Sequence, residues 1–188
     1  QWQLGRAFEN GAVIESESEQ PIELAGLVRP QQQTPSEAVG QLVTATGTWS
    51  DDDFVVLSNR LNDGDRGYWV VGHLMTDEGP SLAVAVGWSS NAGQAEKASA
   101  ELTAMPDLLP RTIEGRYQQS EQPAVDEDAR PDVPAEEMAV PALVNQWQES
   151  APVYAGYATL LDAPEGLTSI HSPAPDRQVQ LNLLNVFY

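Results

Sequence analysis

GQLVTATGTWSDDDFVVLSNRLNDGDRGYWVVGHLMTDEGPSLAVAVGW, residues 40–88, holds four short apolar runs: Leu42–Trp49, Phe54–Leu57, Tyr68–Met75 and Leu82–Trp88. Each is rich in Val, Trp, Tyr, Phe or Thr, side chains that pack well on a pleated surface. The clusters between them are Ser50-Asp51-Asp52-Asp53, Asn62-Asp63-Gly64-Asp65 and Asp77-Glu78-Gly79-Pro80. They carry turn chemistry: short polar side chains that bond nearby backbone, and glycines that accept positive φ. Residues 40–88 therefore read as successive antiparallel strands, to which the rest of the chain is added.

Upstream, residues 1–20 form a leading segment, with a short helix around Trp2, Leu4, Phe8 and Ala12, followed by a polar loop. Pro21–Val28 is a short strand and Arg29–Ser36 a Pro/Gln linker. Downstream, Asn91–Met105 is rich in Ala, Glu and Lys, has Ser90 or Asn91 to cap it and Pro106 to end it, and reads as a helix. Arg111–Gln119 returns to strand. Residues 120–134 form an exposed acidic loop with few large apolar residues. Ala135–Gln148 reads as a second helix, with Val140, Leu143, Val144 and Trp147 on one face; Pro141 fits it best if the helix starts late. Val153–Leu161 is a strand, 163–176 a loop, and Val179–Tyr188 alternates before turning continuously apolar. The chain is thus one domain over 1–188, with a 1–20 leading segment, a 21–119 meander plus helix, a 120–134 loop, and a 135–188 helix and closing strands. The fold class is mainly β with minor α: a small antiparallel barrel, closed or partly open, with two inserted helices. Closure is preferred because it removes exposed sheet edges.

Composition narrows the function. The 188 residues are 41% hydrophobic, enough for one real core. With 28 acidic against 9 basic residues the net charge is −19, which repels nucleic acid and anionic headgroups and leaves a basic protein face as the natural electrostatic partner. The absence of cysteine removes disulfides, thiol catalysis and zinc–thiolate sites. No run of 18 apolar residues is present. Gln1-Trp2-Gln3-Leu4-Gly5-Arg6 opens mid-pattern and Leu181–Tyr188 stops inside an apolar run, so both ends are expected to continue in a longer, membrane-tethered protein.

Chemistry-bearing motifs are sparse. The two histidines, His73 in a strand and His171 in a loop, have no partner at metal-ligand spacing and read as a half-buried satisfied side chain and an exposed one. Asp51-Asp52-Asp53 can bind a hard cation, but a solvated turn explains it as well. Trp49, Trp69, Trp88 and Trp147 occupy core-like phases rather than a stacking platform. No nucleophile or acid–base constellation stands out, so the chain is not expected to be an enzyme.

Several motifs in order resemble the SURF1 family of cytochrome c oxidase assembly proteins, its actinobacterial branch in particular. Trp2-Gln3-Leu4-Gly5-Arg6 resembles the W-Q-x-x-R that follows the family's first transmembrane helix. Val43–Gly47 with Trp49, then Leu57-Ser58-Asn59-Arg60, then Gly67-Tyr68-Trp69-Val70-Val71, and Gly87-Trp88 resemble its central strands. Ile113-Glu114-Gly115-Arg116 resembles its v-x-G-r-l strand, and Asn185-Val186-Phe187-Tyr188 the start of its second transmembrane helix.

The resemblance implies a β-rich extracytoplasmic domain between two membrane helices that lie outside these residues. It implies a role in assembling the aa3-type oxidase, with haem a delivered to or inserted into subunit I, and subunit I or an assembly intermediate as partner. The structural motif residues would be Trp2, Arg6, Gly47, Trp49, Arg60, Gly67, Trp69, Gly87, Trp88, Gly115 and Tyr188. Asn185 stands where the family carries a histidine implicated in haem ligation, Val86 where it carries an arginine, and Ala85 where it carries an asparagine. Asparagine is not a usual axial ligand. No cofactor is therefore expected to bind firmly to these 188 residues, and haem a only in a longer protein; His73 and His171 are the remaining candidates. The alternatives are a structural accessory subunit of the oxidase or its supercomplex, and a barrel that holds a small apolar ligand in its mouth.

Overall fold

The computed structural model describes residues 17–124, 133–148 and 151–175. Expectations that fall on 1–16, 125–132, 149–150 and 176–188 lie outside the described residues; these include Trp2, Arg6, Asn185 and Tyr188. The four runs of the opening stretch become β2 (Leu42–Trp49), β3 (Val55–Asn62), β4 (Asp65–Thr76) and β5 (Ser81–Ser89). Around them stand β1 (Ile22–Glu23), β6 (Thr112–Gln118) and β7 (Val153–Leu160), with helices α1 (Leu24–Leu27), α2 (Ala92–Ala104) and α3 (Val140–Val144).

The strands pair in the order β1-β2-β6-β7-β5-β4-β3, and a further β2–β4 pairing closes β2, β6, β7, β5 and β4 into a five-stranded barrel. The chain is mainly β, as its alternation required. The barrel is not wholly antiparallel: β5 and β7 run parallel, Ala83 opposite Tyr157 and Val84 opposite Ala158. The crossover through α2 and β6 makes that possible, since parallel neighbours need a long connection. β1 adds in parallel to β2, and β3 adds outside β4.

Turn chemistry sets the β3–β4 register. Asp63 and Gly64 have φ of 50° and 87°, the two-residue turn whose twist matches a hairpin, and Asn62 pairs with Asp65. Two apolar clusters flank the barrel wall. The inner one fills the barrel with Val43, Val70, Leu74, Leu82, Val84, Ile113, Tyr117 and Leu160, and takes Ala95, Ala98 and Leu102 of α2 against it. Asn91 caps α2 by accepting from the Gln94 N–H at 3.0 Å.

The outer cluster lies on the other face of β3, β4, β5 and β7. There Leu57, Trp69, Val71, Ala83, Ala85 and Tyr157 are covered by Met138, Val140 and Leu143. This explains why β5 is buried throughout: large Leu82, Val84 and Val86 point in, while Ala83 and Ala85 leave room for a cover. The cover, a strap over 133–148, is where expectation and structure differ. Only Val140–Val144 is helical, not Ala135–Gln148. Pro141 sits in the first turn, where its missing N–H costs nothing, and it bars extension further back. Residues before it are held extended by β3: the Ser58 N–H donates to Ala135 O at 2.8 Å and its hydroxyl to Pro134 O at 3.1 Å. Trp49, Trp69 and Trp88 are buried, Trp49 in the inner cluster and the other two in the outer; Trp147 is half-buried on the strap.

Candidate functional site

Three polar clusters stand out, and each fastens a segment outside the barrel to its wall. The first centres on Arg60. Between Leu57 and Arg60 β3 carries one more residue than β4 opposes, and Asn59 takes φ 55° to absorb it. Asparagine tolerates this left-handed conformation better than most residues. The bulge lays the Arg60 guanidinium 3.7 Å over the Trp69 ring. From there Arg60 holds Glu121 bidentately, Nη1 to Oε1 at 2.7 Å and Nη2 to Oε2 at 2.8 Å, and donates to Glu136 O at 3.0 Å. Glu121 also accepts the Met138 N–H at 2.9 Å. Burial would raise the Glu121 carboxyl, but the bonds from Arg60 and Met138 and the Arg60 charge outweigh it and hold it below the usual range. Tyr157, beneath, is pushed up to about 12, by burial first and then by the Glu121 charge, against the opposing pull of Arg60. Trp88 Nε1 donates to Arg60 O at 2.8 Å, whereas Trp69 Nε1 is buried without a hydrogen-bond partner among the described residues.

The second cluster contains His73. Its Nδ1 lies 2.8 Å from Asp53 Oδ2 and its Nε2 2.6 Å from Ser81 Oγ. Ser50 Oγ donates to the same Asp53 oxygen, and the Gln148 N–H reaches Asp53 Oδ1 at 3.3 Å. The Trp147 indole stacks on the imidazole at 3.7 Å. Carboxylate, imidazole and hydroxyl follow the order of an acyl-transfer relay. However, Ser81 is 1% exposed and His73 0%, so no substrate carbonyl reaches Oγ. Both imidazole nitrogens are engaged, so neither has a lone pair free for iron. The residues are a satisfied buried network that pins the far end of the strap. Asp53 is thereby a correction to the solvated-turn reading: Asp51 and Asp52 are exposed, but Asp53 is buried.

The third is Arg116, 4% exposed. It donates from Nε to Ser172 O at 2.8 Å, from Nη1 to Gly40 O at 2.7 Å, and from both Nη atoms to the Glu19 carboxylate at 2.9 and 3.1 Å. Beside it Gln41 Nε2 donates to Gln20 O at 2.9 Å and Leu42 O at 3.1 Å. Pro175 stands so near Gly40 that a Cβ there would approach it to 2.9 Å. The segments at 17–20 and 172–175 therefore leave the barrel side by side.

His171 is not brought to His73. It lies beside the β3–β4 hairpin, its N–H on Asn62 Oδ1 at 2.8 Å and its side chain 63% exposed. The motif glycines Gly47, Gly67, Gly87 and Gly115 sit in β2, β4, β5 and β6. At Gly67 the need is close approach rather than positive φ: a Cβ would collide with Ser89 O and come within 2.6 Å of the Trp88 ring. At Gly87 it would come within 2.7 Å of Leu167. Sequence reading picked out Arg60, Gly67, Trp69, Trp88 and, as a core side chain, Trp147, but not Glu121, Ser81 or the Glu19 and Ser172 partners of Arg116. Those pairings span 8 to 97 residues and have no local signal. Among the described residues no group of three or more His, Cys, Asp or Glu side chains is arranged to hold a metal, and no helix is long and apolar enough to cross a membrane.

No curated protein matches the chain. The model of the SURF1 family matches residues 1–188, the whole of it. The chain belongs to the SURF1 family, whose members act in cytochrome oxidase assembly.

Proposed function

We propose that this SURF1-family domain serves assembly of an aa3-type cytochrome c oxidase as a membrane-anchored, extracytoplasmic accessory factor, and that haem a delivery to subunit I is the step it aids. The observation that carries the reading is the family match along the entire chain. The architecture is consistent with a docking part rather than a catalyst. The charged and imidazole groups of each polar cluster are engaged in fastening the strap or the chain segments to the barrel. A membrane anchor is supported by the two segments held together at Arg116, since a domain tethered at both ends must present both to one surface.

The described residues do not fit a haem site. His73 is enclosed with both nitrogens bonded, and His171 lies exposed in a loop, its Nδ1 3.9 Å from the Asp63 carboxylate. These 188 residues are therefore expected to show no stoichiometric Soret shift when mixed with haem. The barrel interior is filled by Val43, Val70, Leu82 and Val84, each fully buried, which opposes the reading of a carrier with a ligand in its mouth. The test is capture of the tagged full-length protein from detergent-solubilised membranes. Subunit I without its complete partner set is the expected companion. Stoichiometric recovery with mature, active oxidase would make the protein a permanent subunit, and recovery without any oxidase polypeptide would overturn the proposal.

A further inference from the structure

A groove of about 440 Å³ runs along α2. One wall is that helix, at Gln94, Lys97 and Glu101; the other is the loop Pro164-Glu165-Gly166; Ala98, Leu102 and Leu108 supply its apolar surface. From Gln94 to Leu102 the helix rises about 12 Å, the length of three or four residues of extended chain. Both walls are fixed before anything binds. Asn91 caps α2, and Ala95, Ala98 and Leu102 key it into the barrel. The loop is tied to β5, where Trp88 and Thr168 exchange backbone bonds of 2.8 and 2.7 Å. Gln94 Nε2 donates to Gly166 O at 3.0 Å and joins the two walls at that end. A groove built this way loses little freedom when it is filled.

Two features say what fills it. The first is charge. Glu101 stands on one wall and Glu165 on the other, both exposed, and Asp107 beside Leu108 adds a third exposed carboxylate. Among the described residues neither glutamate carboxylate has an ion pair or hydrogen bond, whereas Arg60, Arg111 and Arg116 are each engaged by a carboxylate elsewhere. Lys97, the sole lysine of the chain, lies one turn before Glu101 and is not paired with it. The groove thus keeps two carboxylates that no internal cation neutralises, on a chain of net charge −19. Its complement is a cation, while nucleic acid and anionic lipid are repelled. The second feature is the lip. Met105 and Leu108 are 59% and 53% exposed, and the Leu108 N–H donates to Met105 O at 3.1 Å. A small free cation makes no use of this apolar lip. A polypeptide segment with a basic residue among apolar ones uses both features.

We propose that the groove along α2 docks a partner polypeptide through one basic side chain, arginine or lysine, seated between Glu101 and Glu165, with apolar neighbours on Leu108 and Met105. Lys97 limits the cations to one, since a second at the Gln94 end would meet its ammonium. The proposal rests on reading the domain as a docking part, and names the chemistry of what docks.

The test is a titration of the 188-residue protein, followed by backbone amide NMR, with three blocked pentapeptides: Leu-Ser-Arg-Ser-Leu, Leu-Ser-Gln-Ser-Leu and Gly-Ser-Arg-Ser-Gly. The first is expected to give saturable shifts at Ala98, Leu102, Leu108 and Gly166, and the other two to bind at least about fivefold more weakly. The double variant Glu101→Gln/Glu165→Gln, on exposed side chains outside the cores and the polar clusters, is expected to weaken the first peptide roughly five- to tenfold. Asp51→Asn/Asp52→Asn removes the same charge elsewhere and is expected to leave binding within about twofold, because salt screens distant exposed charges. Lys97→Gln is expected to tighten it about twofold by removing a like charge. The proposal is overturned by no saturable shift at millimolar peptide, by the glutamine or the glycine peptide binding as tightly, by shifts that fall away from the groove, by the remote double variant weakening binding as much as the groove one, or by Lys97→Gln weakening it. If the groove variant fails to fold, the three peptides on the parent protein decide. No oxidase is present in the titration, so failure here removes the groove and leaves the assembly reading to its own test.

Discussion

Replacing Arg116 with methionine should loosen both chain segments at once. The side chain is 4% exposed, and methionine keeps its length and apolar stem while removing the charge and every donor. Two bonds go to backbone carbonyls, Gly40 O at 2.7 Å and Ser172 O at 2.8 Å. A hydrogen bond to a charged group contributes about 1.5–3 kcal/mol, so these two account for roughly 3–6 kcal/mol. The Glu19 carboxylate is 40% exposed and can return to water, so its share is discounted to less than about 1 kcal/mol. In a protein of this size each kcal/mol moves Tm by about 2–4 °C, so the loss should be on the order of 10 °C. Arg116→Lys should fall between, because one ammonium cannot span three acceptors. Tryptophan fluorescence melts give the stability. Hydrogen exchange mass spectrometry gives the location: peptides covering 17–24 and 168–175 should lose protection together. A variant that melts within about 2 °C of the parent, or one that releases only one of the two segments, would refute the clasp.

Other outcomes follow from the remaining clusters. Tyr157 is neutral in the fold up to about 12 but ionises near 10.0 when unfolded, so its contribution is whole below pH 10 and is lost as pH rises toward 12. The unfolding free energy of the parent, from urea melts, should fall over that window by roughly 2–3 kcal/mol more than that of Tyr157→Phe; parallel curves would contradict the buried phenol. Glu121, held low, should contribute in the opposite direction, its stabilisation present above the ordinary carboxylate range and lost as pH falls through its folded value; Glu121→Gln should flatten the acid limb of the same measurement. Gly67→Ala should cost about 1–3 kcal/mol by thermal melt, since neither Ser89 O nor the Trp88 ring can retreat freely; an unchanged Tm would remove the close-approach argument. Asn59→Gly should be tolerated, whereas Asn59→Val should cost about 1–2 kcal/mol and free Arg60 from Trp69, visible as a change in near-ultraviolet dichroism.

The strands were legible because a half-buried strand must alternate and a hairpin must turn on residues such as Asp63-Gly64. β2 coincides with the run Leu42–Trp49 for that reason. The parallel β5–β7 seam was not legible, because neither strand differs locally from an antiparallel one. The strap was misread as a long helix: Val140, Leu143, Val144 and Trp147 do share a helical phase, but Pro141 and the pull of Ser58 and Arg60 on the backbone at 134–136 override it. Arg60 was visible as part of an asparagine–arginine element, yet its purpose was not, since Glu121 lies 61 residues away. Asp53 was hidden for the opposite reason. Two neighbouring aspartates made it look like surface, and only the fold puts His73 next to it.

The central claim is that the protein serves oxidase assembly, and the most direct measurement is the reduced-minus-oxidised spectrum of membranes from cells lacking the gene. The haem a band should be lost or strongly diminished while b- and c-type bands remain, and it should return with the parent gene. A haem a band of parental height in the deletion membranes would contradict it.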